Sequence, residues 1–466
     1  MKNSKALSRS FVAGLLILGA QGAHAEDWKD ASGLLSAFGV DPNEKSFLKD
    51  NNLKVGGWAE ASVSANANAT SNGYNGPITF QDKDGQFQMN QLNVYLQKAI
   101  NVSGDSFDWG GRVDVMYGSD AIFTQAYGNL AGTPRGDWDL HLIGDQTYNM
   151  AIPNAYAEFN LPVGNGLDVK VGHFYTPIGY ETVTAPDNFF FTKPYTFQYG
   201  EPFTHTGFLG NYAVDENWSA MAGAVTGSAT GGWDGNFNSQ LGNWSFLGGG
   251  TWTSDDKAYS LNVAGTAGNR SYSNPGNNSF WGMYSIVGKA NWLDDDLHYV
   301  IQHDHGFANS VVNENLQDVN AQWYGINQYL MYDIEDNLGV GLRAEWFRDA
   351  NGYRVQGPAR CGASTNADPN NPSGASSFAC PSFNNGATSA GLNNPYVAST
   401  NQWNNLGGGA NYYQLTAGLN YKPLKWVILR PNARYDMSQG VNAFMQSNGN
   451  MVNYQFTFSF DATIVF

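Results

Sequence analysis

From residue 53 to residue 466 the chain repeatedly alternates apolar and polar side chains one by one. The clearest run is the last. Tyr454, Phe456, Phe458, Phe460, Ala462, Ile464 and Phe466 share one parity, and Asn453, Gln455, Thr457, Ser459, Asp461 and Thr463 share the other. Side chains of a strand point to opposite faces in turn, so this run predicts a strand with one apolar and one polar face. A strand buried on both faces would carry no such regular polar row. The pattern recurs upstream. Phe107, Trp109, Val113, Val115 and Tyr117 oppose Asp108, Arg112 and Asp114, and Leu338, Val340, Leu342, Ala344 and Trp346 oppose Arg343 and Glu345. Tyr413 to Tyr421 and Val427 to Tyr435 follow the same rule, with Trp426 and Ile428 breaking it.

Sixteen strands are predicted, at 53–65, 87–99, 107–118, 150–161, 166–175, 205–214, 217–227, 242–253, 257–268, 280–292, 296–304, 321–333, 338–349, 411–422, 425–436 and 452–466. Runs of 9–11 alternating residues suit an antiparallel transmembrane β-barrel, apolar toward lipid and polar toward the lumen. The connections alternate short and long. Short ones lie near 162–165, 215–216, 254–256, 293–295, 335–337 and 423–424, and long ones at 119–149, 176–204, 305–320 and 350–410. Such barrels carry short periplasmic turns and longer external loops, so the long connections are expected outside the cell.

The chain opens on an export leader. Lys2, Lys5 and Arg9 precede an apolar run from Phe11 to Ala20, and Ala23-His24-Ala25 is a small-residue cleavage site, so residues 1–25 read as a signal peptide removed after Ala25. The apolar run is too short to span a bilayer as a helix. Residues 26–52 form a periplasmic segment with one apolar helical turn at Gly33 to Phe38, and the barrel occupies 53–466. Aromatics are 14% and charged residues only 14%, with 55 glycines, a balance unusual for a soluble enzyme. The net charge of −16 becomes more negative once the three basic leader residues are gone. This argues against nucleic acid as a partner. Cys361 and Cys380 share a stretch rich in Gly, Asn, Ser and Pro, and in an exported chain the pair is expected to form a disulfide stapling a long loop.

The segment from 172 to 234 resembles the OmpL-like β-barrel porin family. The resemblance rests on Gly172-His173-Phe174-Tyr175-Thr176-Pro177-Ile178-Gly179-Tyr180-Glu181, Asn188-Phe189-Phe190, Tyr199-Gly200-Glu201-Pro202-Phe203-Thr204-His205-Thr206-Gly207 and Gly232-Trp233-Asp234. It implies an outer-membrane barrel with a porin role, and brings no catalytic residues and no defined substrate. Physically, this stretch is a loop stiffened by Pro177, Pro186, Pro194 and Pro202 and loaded with aromatics. A loop so apolar makes a poor solvated surface. Folding into the lumen as a constriction satisfies it, with Glu181, Asp187, Phe190, Lys193, Tyr195 and Glu201 as the residues expected there. Packing over the rim or against a neighbouring subunit is the alternative.

Strand parity places Asp108, Arg112, Asp114, Glu158, Lys170, Arg343, Glu345, Arg430, Arg434, Asp436 and Asp461 on the lumen side. Arginine and carboxylate neighbours there are expected to pair across strands. The carboxylates Asp120, Asp137, Asp139, Asp145, Glu181, Asp187, Glu201 and Asp234 are expected on the external side, where they would favour cations. His303-Asp304-His305 offers too few ligands for a metal site. His173 lacks a serine nucleophile motif to serve. No cofactor, metal or enzymatic activity is expected. The expected function is passive diffusion of small hydrophilic solutes through a water-filled pore. A sugar- or ion-selective channel and a closed structural or adhesive barrel are the alternatives. Outer-membrane lipid and the barrel-assembly machinery are the expected partners, the latter reading the terminal Phe466. A homo-oligomer is compatible with this reading.

Overall fold

The computed structural model describes residues 31–71, 73–124, 147–226, 244–269, 280–312, 318–355 and 409–466. Among these, sixteen strands close into one antiparallel barrel. They are β1 (Leu53–Asn66), β2 (Phe87–Lys98), β3 (Asp108–Gly118), β4 (Asn149–Leu161), β5 (Leu167–Tyr175), β6 (Thr204–Ala213), β7 (Trp218–Thr226) and β8 (Trp244–Thr253). Then come β9 (Tyr259–Asn269), β10 (Phe280–Trp292), β11 (Leu297–Val312), β12 (Asp318–Glu335), β13 (Leu338–Asp349), β14 (Ala410–Leu424) and β15 (Val427–Gln439). A small ribbon of β16 (Phe444–Met445) and β17 (Met451–Val452) precedes the last wall strand, β18 (Tyr454–Val465). Each wall strand pairs with its neighbour in sequence, and β18 closes on β1 from Trp58↔Val465 to Asn66↔Thr457. No helix among the described residues is long and apolar enough to cross a membrane, so the crossing is made by strands.

The sixteen strands match the alternation read from the sequence, except at β11 and β12. These run on to Val312 and back from Asp318, so most of the expected 305–320 loop is strand. The reason is compositional. Gly306 and Ala308 face inward between His305 and Phe307, and these small residues hide the alternation that the backbone keeps. Outward side chains form an apolar coat that includes Val94, Trp109, Val113, Phe246, Leu342, Leu415 and Phe458, all exposed. Lipid is the medium that such a coat requires.

The core is inside the barrel, built largely by connections folded inward. Phe80, Phe123, Phe174, Tyr195, Phe197, Tyr199, Phe203, Trp281, Trp323, Phe347 and Phe444 belong to one buried cluster. Residues 31–52 cover the short-turn end. A one-turn helix, Leu34–Ala37, packs with Ala31 and Ala37 against Trp426, beside Leu424, Ile464 and Val465. That contact explains why Trp426 breaks the alternation. The Asn43 side chain holds both the N–H (2.8 Å) and the carbonyl (3.0 Å) of Val55, tying this segment to β1. At the seam, Gly57 and Phe466 exchange backbone hydrogen bonds of 3.0 and 2.9 Å. A Cβ at Gly57 would lie 2.7 Å from the Phe466 ring, so the glycine gives the terminal aromatic its seat. The leader and Cys361 and Cys380 lie outside the described residues.

Candidate functional site: the lumen and its inward loop

Period-2 geometry puts residues i and i+2 of a strand on one face. Two of the predicted lumen pairs use it directly. Arg112 binds Asp114 through two bonds of 2.6 and 2.8 Å, and Arg434 binds Asp436 at 2.7 Å. Asp114 also accepts from Asn93 (3.1 Å) and Asn154 (3.2 Å). Two other pairs form across neighbouring strands, Glu158 with Lys170 at 3.4 Å and Arg430 with Asp461 at 2.6 Å. Asp108 differs from its expected role. It sits at the short-turn rim, accepting from the N–H groups of Asn101 and Trp109, both 2.8 Å away.

Arg343 and Glu345 are also two residues apart on β13, yet each turns to the connection 176–203 instead of to the other. Arg343 donates to Glu181 (2.6 Å), to the Thr192 carbonyl and to Thr192 Oγ1 (2.9 Å). Glu345 accepts from Tyr195 N–H (2.7 Å), Thr196 N–H and Thr196 Oγ1 (2.6 Å). The same loop meets β15. Arg430 donates to the carbonyls of Ala185 (2.7 Å) and Asn188 (2.8 Å), and Asp436 accepts from Tyr195 Oη at 3.0 Å. Gln91 on β2 donates to the Val183 carbonyl at 2.8 Å, Gln302 on β11 accepts from Tyr180 N–H at 3.2 Å, and Trp323 on β12 donates to the Gly200 carbonyl at 3.1 Å. The loop therefore spans the lumen and is fastened to walls on several sides.

Its chemistry is mixed. Phe190 is buried beneath Arg343, 5.1 Å from the guanidinium to the ring. Lys193 bonds the Thr182 carbonyl (2.8 Å) and pairs with Glu181 (3.3 Å). Gly341 and Gly418 supply the room for this packing: a Cβ at either would press on Phe190, at 2.9 and 3.0 Å. Between the loop and the short-turn end lies a vestibule of about 350 Å³, lined by Tyr180, Asp187, Phe189, Lys289, His298 and Lys422 among others.

Several expectations need correction. Glu181, Glu201 and Asp120 are buried within the lumen, and Asp187 faces the short-turn vestibule, so none of the four is an external rim charge. Asp137, Asp139, Asp145 and Asp234 lie outside the described residues. His303 and His305 face outward, in ring contact with Tyr284, while Asp304 between them faces inward and is fully buried. His173 is buried and bonds Thr206 at 2.7 Å. Sequence reasoning also missed a second inward connection, residues 67–86. Phe80 stacks against Phe123 and packs at a tilt against Phe197, and Tyr199 Oη donates to the Pro77 carbonyl at 3.0 Å. The signal was its run Pro77-Ile78-Thr79-Phe80, apolar residues where a solvated loop would carry few.

A closed sixteen-stranded barrel with an apolar outside and a polar, ion-paired inside is an outer-membrane β-barrel of the porin class. The family described as "Putative beta-barrel porin-2, OmpL-like" matches residues 52–466, and the chain belongs to it. It is thus a porin of the bacterial outer membrane, a channel for passive diffusion. Among solved structures, the high-pH structure of Pseudomonas putida OprB is 10% identical over 94% of this chain and 99% of that chain, with a TM-score of 0.53. Salmonella typhi OmpF in complex with daunomycin is 12% identical over 90% and 99%, TM-score 0.49. The outer membrane channel DcaP of Acinetobacter baumannii is 9% identical over 89% and 97%, TM-score 0.48. These are likenesses of fold. No curated protein sequence matches the chain.

Proposed function

We propose that small hydrophilic solutes pass beside the loop 176–203, which narrows the lumen, and leave through the vestibule at the short-turn end. The observation that carries this reading is the fastening of the loop to β2, β11, β12, β13 and β15 by charged and amide side chains. A packed loop tied across a barrel sets the bore where it crosses. The long connections face the cell exterior, residues 1–25 are removed after Ala25, and the terminal Phe466 is read by the assembly machinery. The protein is a conduit and performs no catalysis.

Selectivity follows from the charge pairing. Arg112, Lys170, Arg343, Arg430 and Arg434 all have carboxylate partners, so no arginine among them presents a bare positive field. Glu345 has only neutral donors and Arg430 faces two carboxylates, Glu60 and Asp461, which outweighs the single Glu181 shared by Arg343 and Lys193 and leaves a small negative excess among these groups. Fixed charge in a narrow low-dielectric path concentrates counter-ions. The pore therefore prefers cations weakly, and the preference fades as salt shortens the Debye length from about 10 Å at 0.1 M to about 3 Å at 1 M. Planar-bilayer recording of the purified barrel tests both statements. Ohmic channels with a cation-selective reversal potential at low salt are expected. A silent barrel favours the closed structural reading, and clear anion preference removes the charge argument.

A further inference from the structure

The lumen carboxylates above each face an arginine, a lysine or a set of N–H donors. Two others do not. Glu201, at the C-terminal end of the inward loop, and Asp304, on β11, are 1% and 0% exposed. Both accept from one amide nitrogen, Gln302 Nε2, which lies 2.9 Å from Asp304 Oδ1 and closer still to Glu201 Oε1. The other oxygen of each, Glu201 Oε2 and Asp304 Oδ2, has no hydrogen-bond partner. The two carboxyl groups are within hydrogen-bonding reach of one another. Two dehydrated carboxylates this close cannot both ionise.

Among the described residues, no cation compensates them. On the loop, Glu181 is already paired with Arg343 of β13 and with Lys193. On β6, His205 bonds Thr176 Oγ1 at 2.9 Å. On β10, Ser285 contributes a hydroxyl, and Lys289 lies over the Tyr180 ring at 5.0 Å. On β11, His303 faces outward. Beyond β13, Arg354 donates to the Tyr199 carbonyl at 2.7 Å and covers Trp323, and Asp349 accepts from the N–H groups of Tyr353, Arg354 and Val355. A bound metal would need room and several more oxygens. The room is lacking beside Glu201, where even a Cβ at Gly179 would overlap the carboxylate. A single proton needs no space and turns two orphaned oxygens into one hydrogen bond.

We propose that Glu201 and Asp304 hold one proton between them, and that this proton fastens the C-terminal limb of the inward loop to β11. Burial, and then the adjacent Asp304 carboxylate, push Glu201 well above the usual carboxylate range. The same geometry accounts for two residues of the family-like motif at once, since Gly179, at φ +90°, is what lets the Glu201 carboxylate lie against the backbone. When alkaline pH removes the proton, two like charges face each other in a dry site and the limb leaves the wall.

Infrared spectroscopy of the refolded barrel at neutral pH tests the proton without requiring conduction. A carboxylic-acid carbonyl band is expected in the wild type. It should be lost in both Glu201→Gln and Asp304→Asn, whose amides replace the shared proton with an N–H donor. The second arm uses conductance and rests on the porin reading. The wild-type channel should change conductance reversibly as pH is raised from neutral into the alkaline range, and Glu201→Gln should be flat. Absence of the band, or its survival in both variants, overturns the proposal. Thermal stabilisation by calcium that Glu201→Gln abolishes also overturns it and assigns a cation instead. Conducting wild-type channels with the same pH profile as Glu201→Gln overturn the fastening. A barrel silent at every pH contradicts the porin reading, and the infrared arm then decides the proton.

Discussion

Arg430 concentrates more of the lumen's order than any neighbour described here. Its guanidinium binds Asp461 at 2.6 Å, Glu60 at 2.9 Å and two loop carbonyls, all while 1% exposed. Arginine's rigid fork of five donors suits such a node. Arg430→Met keeps much of the volume but strands Glu60 and Asp461 as buried charges. The expected loss is about 3–5 kcal/mol, the usual cost of removing one partner from a buried pair. Urea unfolding in liposomes measures it, and neutralising Glu60 and Asp461 together should restore part of the loss. Glu201 behaves in the opposite sense. A carboxyl raised in the folded state contributes stability that is fully present below its unfolded pKa of about 4.3, and loses it as pH rises through the folded value. The stability of wild type relative to Glu201→Gln should therefore fall from acid toward alkaline pH. A rising difference would mean that Glu201 is ionised in the fold.

The strands were legible because period-2 alternation is a local property, readable from Tyr454 to Phe466 without knowing what they touch. Facing was legible for the same reason, so Arg343 and Glu345 could be placed on the lumen side. Their partners could not. Arg343 meets Glu181 and Thr192, and Glu345 meets Thr196, across some 150 positions of sequence. Parity within a strand carries no information about which loop lies above it. The inward loop was suggested by its aromatics, while its seat depends on what the opposite wall omits. Gly341 and Gly418 are such omissions, facing Phe190. Gly418→Val should displace Phe190 and Asn432, loosen the loop and give larger or noisier channels than wild type, with the barrel still heat-modifiable. Unchanged single-channel records would show that Phe190 does not set the bore.

The whole molecule presents two unlike ends. Turns such as 293–296 and 336–337 crowd one end, together with residues 31–52, and the connection 176–203 leaves from the other, where β13 ends and β14 begins. Surface labelling of intact cells is expected to reach engineered cysteines near residue 352 and to miss those near 255, 295 and 336. The reverse pattern would invert the barrel in the membrane. Fold and membrane were thus readable from the sequence, and charge selectivity was not, because several carboxylates expected at the external mouth, Glu181, Glu201 and Asp120, are drawn inside.

The seam between β1 and β18 is bonded like every other junction, although its partners stand at opposite extremes of the chain. The wall thus depends on which strands are neighbours and is indifferent to where the polypeptide begins. A circular permutant follows from this. Its ends are opened in the turn at 336–337, and Phe466 is linked through a short spacer to residue 31. It should refold in detergent to a barrel with wild-type heat-modifiability. In that molecule Phe466 keeps its seat on Gly57 but is no longer terminal. If the permutant refolds in vitro yet fails to accumulate in outer membranes, the terminal phenylalanine is an address, separable from its role as mortar. Equal accumulation in cells would mean that packing at the seam was its whole contribution.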